Sequence, residues 1–156
     1  MKTHIPAMLV AASLGLPAAA DEVAMVSVKR LSLDTATKVA QATLNTCREK
    51  GIQIGVTVVD RDGTVQVTLR DTIAAPITVP ISKMKASTAV NFNAATSALV
   101  SRADTPIGRI DGLVMSAGGV PIEVSGALVA GVGVSGAPDG ATDEACAQAG
   151  VEAVIE

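Results

Sequence analysis

The sequence predicts an α+β domain in which a mostly antiparallel sheet carries helices on its faces. Three observations predict it. The apolar residues change period along the chain, in the order helix, two strands, helix, about three strands, helix, which makes a sheet of about five strands. The strand pairs are joined by turns too short for a parallel crossover. The residues available for a core are aliphatic and small: the 156-residue chain has one Phe, no Trp and no Tyr, and 14 Gly.

The chain opens on an export pattern. Lys2 supplies a positive charge, Ile5 to Leu16 an uncharged apolar run, and Ala18 to Ala20 a small-residue cleavage site. The run is shorter than the roughly 20 residues that cross a bilayer. Residues 1–20 therefore read as a signal peptide, 21–30 as a flexible N-terminal segment, and 31–156 as one domain of a periplasmic or secreted protein with no membrane span.

Ser32 is placed to cap the first helix. Leu33, Ala36, Ala40, Thr43, Leu44 and Cys47 share one face of it, and Gly51 ends it. Ile52 to Asp60 then alternates, Arg61-Asp62-Gly63 turns the chain, and Thr64 to Arg70 alternates again, as a hairpin does. A second helix is predicted from Thr78 to about Val100, with Pro80 in its first turn. Its apolar stripe is Ile81, Met84, Thr88, Phe92, Ala95 and Leu99, and Lys83 and Lys85 lie off that stripe. Residues 102–112 read as loop, and Leu113 to Met115 as a short strand. Val120 to Val124 and Ala127 to Val134 are strands joined by the two-residue turn Ser125-Gly126. The last helix is predicted over Asp143 to Ile155, with Thr142 as its cap and the acids Asp143 and Glu144 in its first turn.

Composition excludes several functions. The formal net charge is −3, and the leader holds one of the 12 basic residues, so the domain alone is more acidic still. No basic run appears, which argues against nucleic acid and anionic membranes as partners. The single histidine, His4, lies in the leader, so the domain lacks serine–histidine and cysteine–histidine machinery. Cys47 and Cys146 each fall on the inner face of a terminal helix. A disulfide and two buried free thiols are the alternatives, and an oxidising compartment favours the disulfide.

Gly131-Val-Gly-Val-Ser-Gly136 matches G-x-G-x-x-G, but its first two glycines sit inside an alternating strand rather than in a strand-to-helix turn. Glycines there let a helix, a ligand or another subunit approach the strand closely. Gly118, Gly119 and Pro121 lie at the strand end neighbouring Ser135 and Gly136, and the last helix starts nearby. These backbone N–H groups could receive a carboxylate or another anion, or could serve only as turns. Asp60-Arg-Asp-Gly63 lacks the later ligands of a calcium loop and reads as a turn.

An ordered series of segments resembles one family. The segments are Leu31-Ser-Leu-Asp-Thr-Ala36, Val58-Val-Asp-Arg-Asp-Gly63, Ser82-Lys-Met-Lys-Ala86, Gly118-Gly-Val-Pro-Ile122, and Gly131-Val-Gly-Val-Ser-Gly136 with Asp143-Glu144. Together they resemble the GlcG/HbpS haem-binding family, whose relatives include the C-terminal domain of PduO-type adenosyltransferases. The likeness runs from Leu31 to about Val154. It implies a profilin-like fold, homo-oligomeric assembly, and an exported accessory role in binding haem or a similar small ligand. Arg70-Asp-Thr-Ile-Ala74 departs from the Arg-Met-Asp-Gly-Ala common in the family, and Pro80 stands where a small residue is usual. Without histidine, haem would rest on oxygen ligands or on Met84, Met115, Lys or Cys, with the propionates near Lys83 or Lys85. Two other readings stay open: a partner-binding oligomer that packs through the glycine-rich strand, and an enzyme acting on haem or on a small organic acid.

Overall fold

The computed structural model describes residues 24–155, so the leader at 1–20 and the start of the 21–30 segment lie outside the described residues. Helix α1 spans Leu33–Glu49, and the Ser32 hydroxyl accepts the Thr35 N–H at its start. Ala36, Val39, Ala40, Thr43, Leu44 and Cys47 form its buried face, while Leu33 stays 59% exposed. The helix closes through Gly51, at φ +72°, and the Ile52 N–H bonds back to the Cys47 carbonyl. That bond belongs to the helix end, so strand β1 is Gly55–Asp60 and begins later than alternation predicts.

Strand β2, Val65–Arg70, pairs antiparallel with β1. The turn between them is held by Asp60, whose Oδ1 accepts the N–H groups of Asp62 and Thr64. Arg30 is ion-paired to both Asp60 and Asp62, which ties the end of the N-terminal segment to this turn. Strands β3, Gly119–Val124, and β4, Ala127–Ser135, form the second hairpin. Ser125 and Gly126 both have positive φ, 51° and 74°, as a type I′ turn requires. The sheet order is β2-β1-β4-β3, and every pairing is antiparallel.

Among the described residues the sheet has four strands, one fewer than the sequence led us to expect. Leu113 to Met115 is loop. The Val114 N–H donates to Thr88 Oγ1 at 3.0 Å, which spends it on a helix instead of a strand ladder. The outer edge of β3 is closed to a fifth strand in that stretch. The Gly119 N–H is taken by Thr96 Oγ1 at 2.8 Å, and Pro121 has no N–H to offer.

The two faces of the sheet differ in kind. Val56, Val58, Ile122, Val132 and Val134 face α1 and the last helix, α3 (Gly140–Ile155), and build the main core. The other face is floored by glycine and covered by helix α2, Thr78–Phe92. A Cβ at Gly133 would lie 2.1 Å from the Ser82 carbonyl oxygen, and one at Gly119 would lie 2.4 Å from that of Lys85. The helix backbone therefore rests almost on the strands, which only small residues at the contact permit.

Two features of α2 differ from the reading of its sequence. It stops at Phe92, because Asn93 adopts the left-handed conformation at φ 44° and caps it. The chain then continues as 3₁₀ turns at Thr96–Arg102 and Pro106–Arg109. Its buried residues are Thr78, Ser82, Lys85, Ala86, Thr88, Ala89 and Val90, so that of the expected stripe within the helix Thr88 is buried while Ile81 and Met84 are only half-buried. Helix α3 begins at Gly140, ahead of the expected Asp143. Asp139, not Thr142, supplies the cap, accepting the Thr142 N–H at 2.7 Å.

Candidate functional site

The last turn of β4, the 117–119 loop, the first 3₁₀ turn and the start of α3 meet at one end of the sheet. The sequence-predicted Gly118, Gly119, Ser135 and Gly136 are brought together there. Gly118 and Gly136 have φ of 126° and 136°, which side chains rarely tolerate. The Gly118 carbonyl accepts the Val134 N–H at 2.8 Å, and Ser135 is buried. Pro121 stands opposite Gly131 on the neighbouring strand.

The N–H groups gathered here are met by carboxylates of the same chain. Asp143 Oδ1 accepts the Ala137 N–H at 2.9 Å. Glu144 accepts the Gly118 N–H at 3.0 Å and the Ser97 N–H at 3.1 Å, and it also takes the Ser97 hydroxyl. Sequence reasoning gave this acid pair a favourable place at a helix start and a place in the family series, but no partners. It missed Thr96 and Ser97, whose partners lie far along the chain, and Ala137, whose backbone N–H meets Asp143 only because the loop before α3 folds back on the helix.

Lys85 completes the arrangement. Its Nζ lies 2.9 Å from Asp143 Oδ2, and both side chains are about 5% exposed. A Cβ on Gly118 would come within 2.5 Å of that ammonium, so the glycine makes room for it. Burial pushes the Asp143 carboxyl above the usual carboxylate range, and its hydrogen bonds from Lys85 and Ala137 oppose that shift. The group is a sealed ion pair backed by a satisfied carboxylate, and it joins α2, α3 and three loops.

Two shallow cavities run from this cluster along α3 and the edge of β3. One, of about 320 Å³, is lined by Ala95, Ser97, Glu144 and Gln148 among others. The next, of about 330 Å³, adds Pro121, Glu123, Val151 and Ile155. A third, of about 420 Å³, lies between Phe92 and the 107–113 segment.

The remaining sequence-predicted residues lie elsewhere. Lys83 is exposed on the flank of α2. Met84 is half-buried on the side of α2 that faces away from the sheet, while Met115 is buried at 6% exposure. Ile77 and Ile81 share the Met84 face at helical spacing, and Ile77 is 60% exposed. Gly131 and Gly133 are covered by α2 of the same chain, so they offer no packing surface to another subunit. Cys47 and Cys146 form a disulfide that joins α1 to α3, with their Cα atoms 5.6 Å apart and both residues fully buried. Among the described residues, no group of three or more His, Cys, Asp or Glu could hold a metal ion, and no helix is long and apolar enough to cross a membrane.

A family model described as haem degrading protein HbpS-like matches residues 31–152. A solved double mutant of HbpS from Streptomyces reticuli is 38% identical, with 92% of this chain and 100% of that one covered and a TM-score of 0.82. A second structure of HbpS is 39% identical over 88% of this chain and 99% of that one, also with a TM-score of 0.82. A complex of PduOC with haem is 26% identical over 80% of this chain and 95% of that one, with a TM-score of 0.74. No curated protein matches the chain.

Proposed function

The chain belongs to the HbpS-like family, and from that premise we propose that it binds haem or a closely related tetrapyrrole as an exported accessory protein. The observation that carries the reading is the family match over nearly the whole domain, joined to a haem complex of a relative with the same fold. Export is supported by the leader pattern at residues 1–20 and by the disulfide, which persists in oxidising compartments. Assembly into a homo-oligomer belongs to the same reading, and sizing of the purified protein checks it.

The residues of this chain fit the ligand on one face better than elsewhere. Lys85 and the N–H groups of Gly118 and Ala137 serve the chain's own Asp143 and Glu144, and the Gly119 N–H goes to Thr96, which leaves little there for a propionate. The outward face at the start of α2 carries Ile77, Ile81 and Met84, and Ile73, ahead of the helix in the chain, is 78% exposed. An apolar macrocycle laid on that face removes these isoleucines from water. Lys83, on the flank of the helix, is the nearest free cation in the sequence for a carboxylate on the ligand rim. Bound haem would supply an iron centre, and the protein would supply the apolar bed and the charge. Absorbance titration with haem tests the reading: a saturable Soret shift at micromolar concentration is expected, and its absence contradicts haem binding.

A further inference from the structure

We propose that the iron of a haem bound to this chain takes the thioether sulfur of Met84 as its protein ligand. The proposal rests on the haem-binding reading above and goes beyond it to a single atom. The usual donors are missing. The chain has no Tyr, its one histidine stands in the leader, and both cysteines are consumed in a buried disulfide. A lysine ammonium has no lone pair to give. Thioethers, carboxylates and hydroxyls remain.

Three methionines fall among the described residues, and their settings differ. Met25 is 83% exposed, ahead of the domain. Met115 is enclosed, at 6% exposure. Met84 is half-buried, one helical turn from Ile81 and two from Ile77, on a face turned away from the sheet. The first turns of α2 bury the small residues Ser82 and Ala86 and leave Ile77 exposed and Ile81 and Met84 half-buried, the reverse of an ordinary surface helix along that stretch. The hydroxyl nearest on that face is already used. Thr88 Oγ1 donates to the Met84 carbonyl at 2.8 Å and accepts the Val114 N–H at 3.0 Å. Met84 is thus the soft donor that stands within an apolar, accessible surface.

Ligation here donates a sulfur lone pair to iron, and no proton leaves. Affinity is therefore flat over the pH range in which an imidazole ligand would titrate, about 5 to 8. The test uses the chain from Asp21 onward, which keeps every described residue, purified without a histidine tag. Haem is added, and the sulfur-to-iron charge-transfer band is read beside the Soret band. We expect the band in the parent protein and in Met115→Leu. In Met84→Leu we expect its loss and an affinity at least about tenfold weaker, with circular dichroism unchanged because the side chain faces outward. Haem binding without a sulfur band, or an unchanged spectrum in Met84→Leu, overturns the assignment while leaving haem binding intact. No haem binding by the parent overturns both.

Discussion

At Lys85, an ammonium with about 5% of its side chain exposed faces one carboxylate oxygen of Asp143 at 2.9 Å. Removing either partner strands the other charge away from water, which costs about 3–5 kcal/mol. Lys85→Met should lower stability by that amount in urea unfolding, and the double variant Lys85→Met with Asp143→Leu should recover most of it. The partners stand 58 positions apart, so no local pattern pairs them, and the sequence offered Lys85 as a contact for a ligand carboxylate rather than for Asp143. Asp71 has a different electrostatic history. The Arg48 side chain hydrogen-bonds it and lowers its pKa from 3.8 to about 2. The folded value is depressed, so this contribution is full above the unfolded value and is lost as pH falls toward the folded one. Stability should therefore drop between about pH 4 and pH 2, with Asp139 acting in the same direction. Asp71→Asn should flatten that part of a pH series of thermal melts. Asp143 carries the opposite sign, since its value is raised. Its protonated form favours the fold at low pH, and that advantage disappears as pH rises through the folded value.

At the scale of elements, the contact of α2 with the glycine floor sets the shape of the sheet's second face. Gly133→Ala places a methyl group 2.1 Å from the Ser82 carbonyl oxygen, with Ala86 N at 2.4 Å. Neither is the end of a flexible side chain, so the helix itself must shift. We expect a loss of about 3 kcal/mol, at the upper end of overpacking costs, read as a lower denaturation midpoint. The same contact explains what sequence could and could not reveal. The α1 cap at Ser32, both hairpins and the turn Ser125-Gly126 rest on local chemistry, and they were legible. The orientation of α2 was not. Its larger apolar residues, Ile81 and Met84, pointed to the wrong face, because a glycine floor selects Ser82 and Ala86 for the buried side. The strand expected at Leu113 to Met115 failed because Thr88 claims the Val114 N–H. The Gly118 and Gly136 loops do adjoin, as strand pairing suggested, but the carboxylates that fill them were not assigned to them.

For the molecule as a whole, the Cys47–Cys146 disulfide closes a loop with a sequence separation of 99 and ties the first helix to the last. In the chain-entropy model, such a loop stabilises the fold by about 4–5 kcal/mol. Cys47→Ala with Cys146→Ala should show a loss of that order in denaturant, and a reducing agent should affect the parent only after it unfolds. Cysteine count and helix placement left a disulfide and two buried thiols as alternatives, the export pattern favoured the disulfide, and the structure has it. The family was legible as well, because its segments recur in order along the chain, and the match over residues 31–152 agrees with them. What the fold does with that membership turns on one ligand. Haem titrated into the histidine-free chain from Asp21 onward is the most direct measurement. A saturable Soret shift with a fixed stoichiometry per chain at micromolar protein is expected. A spectrum that stays the sum of free haem and free protein would contradict haem binding.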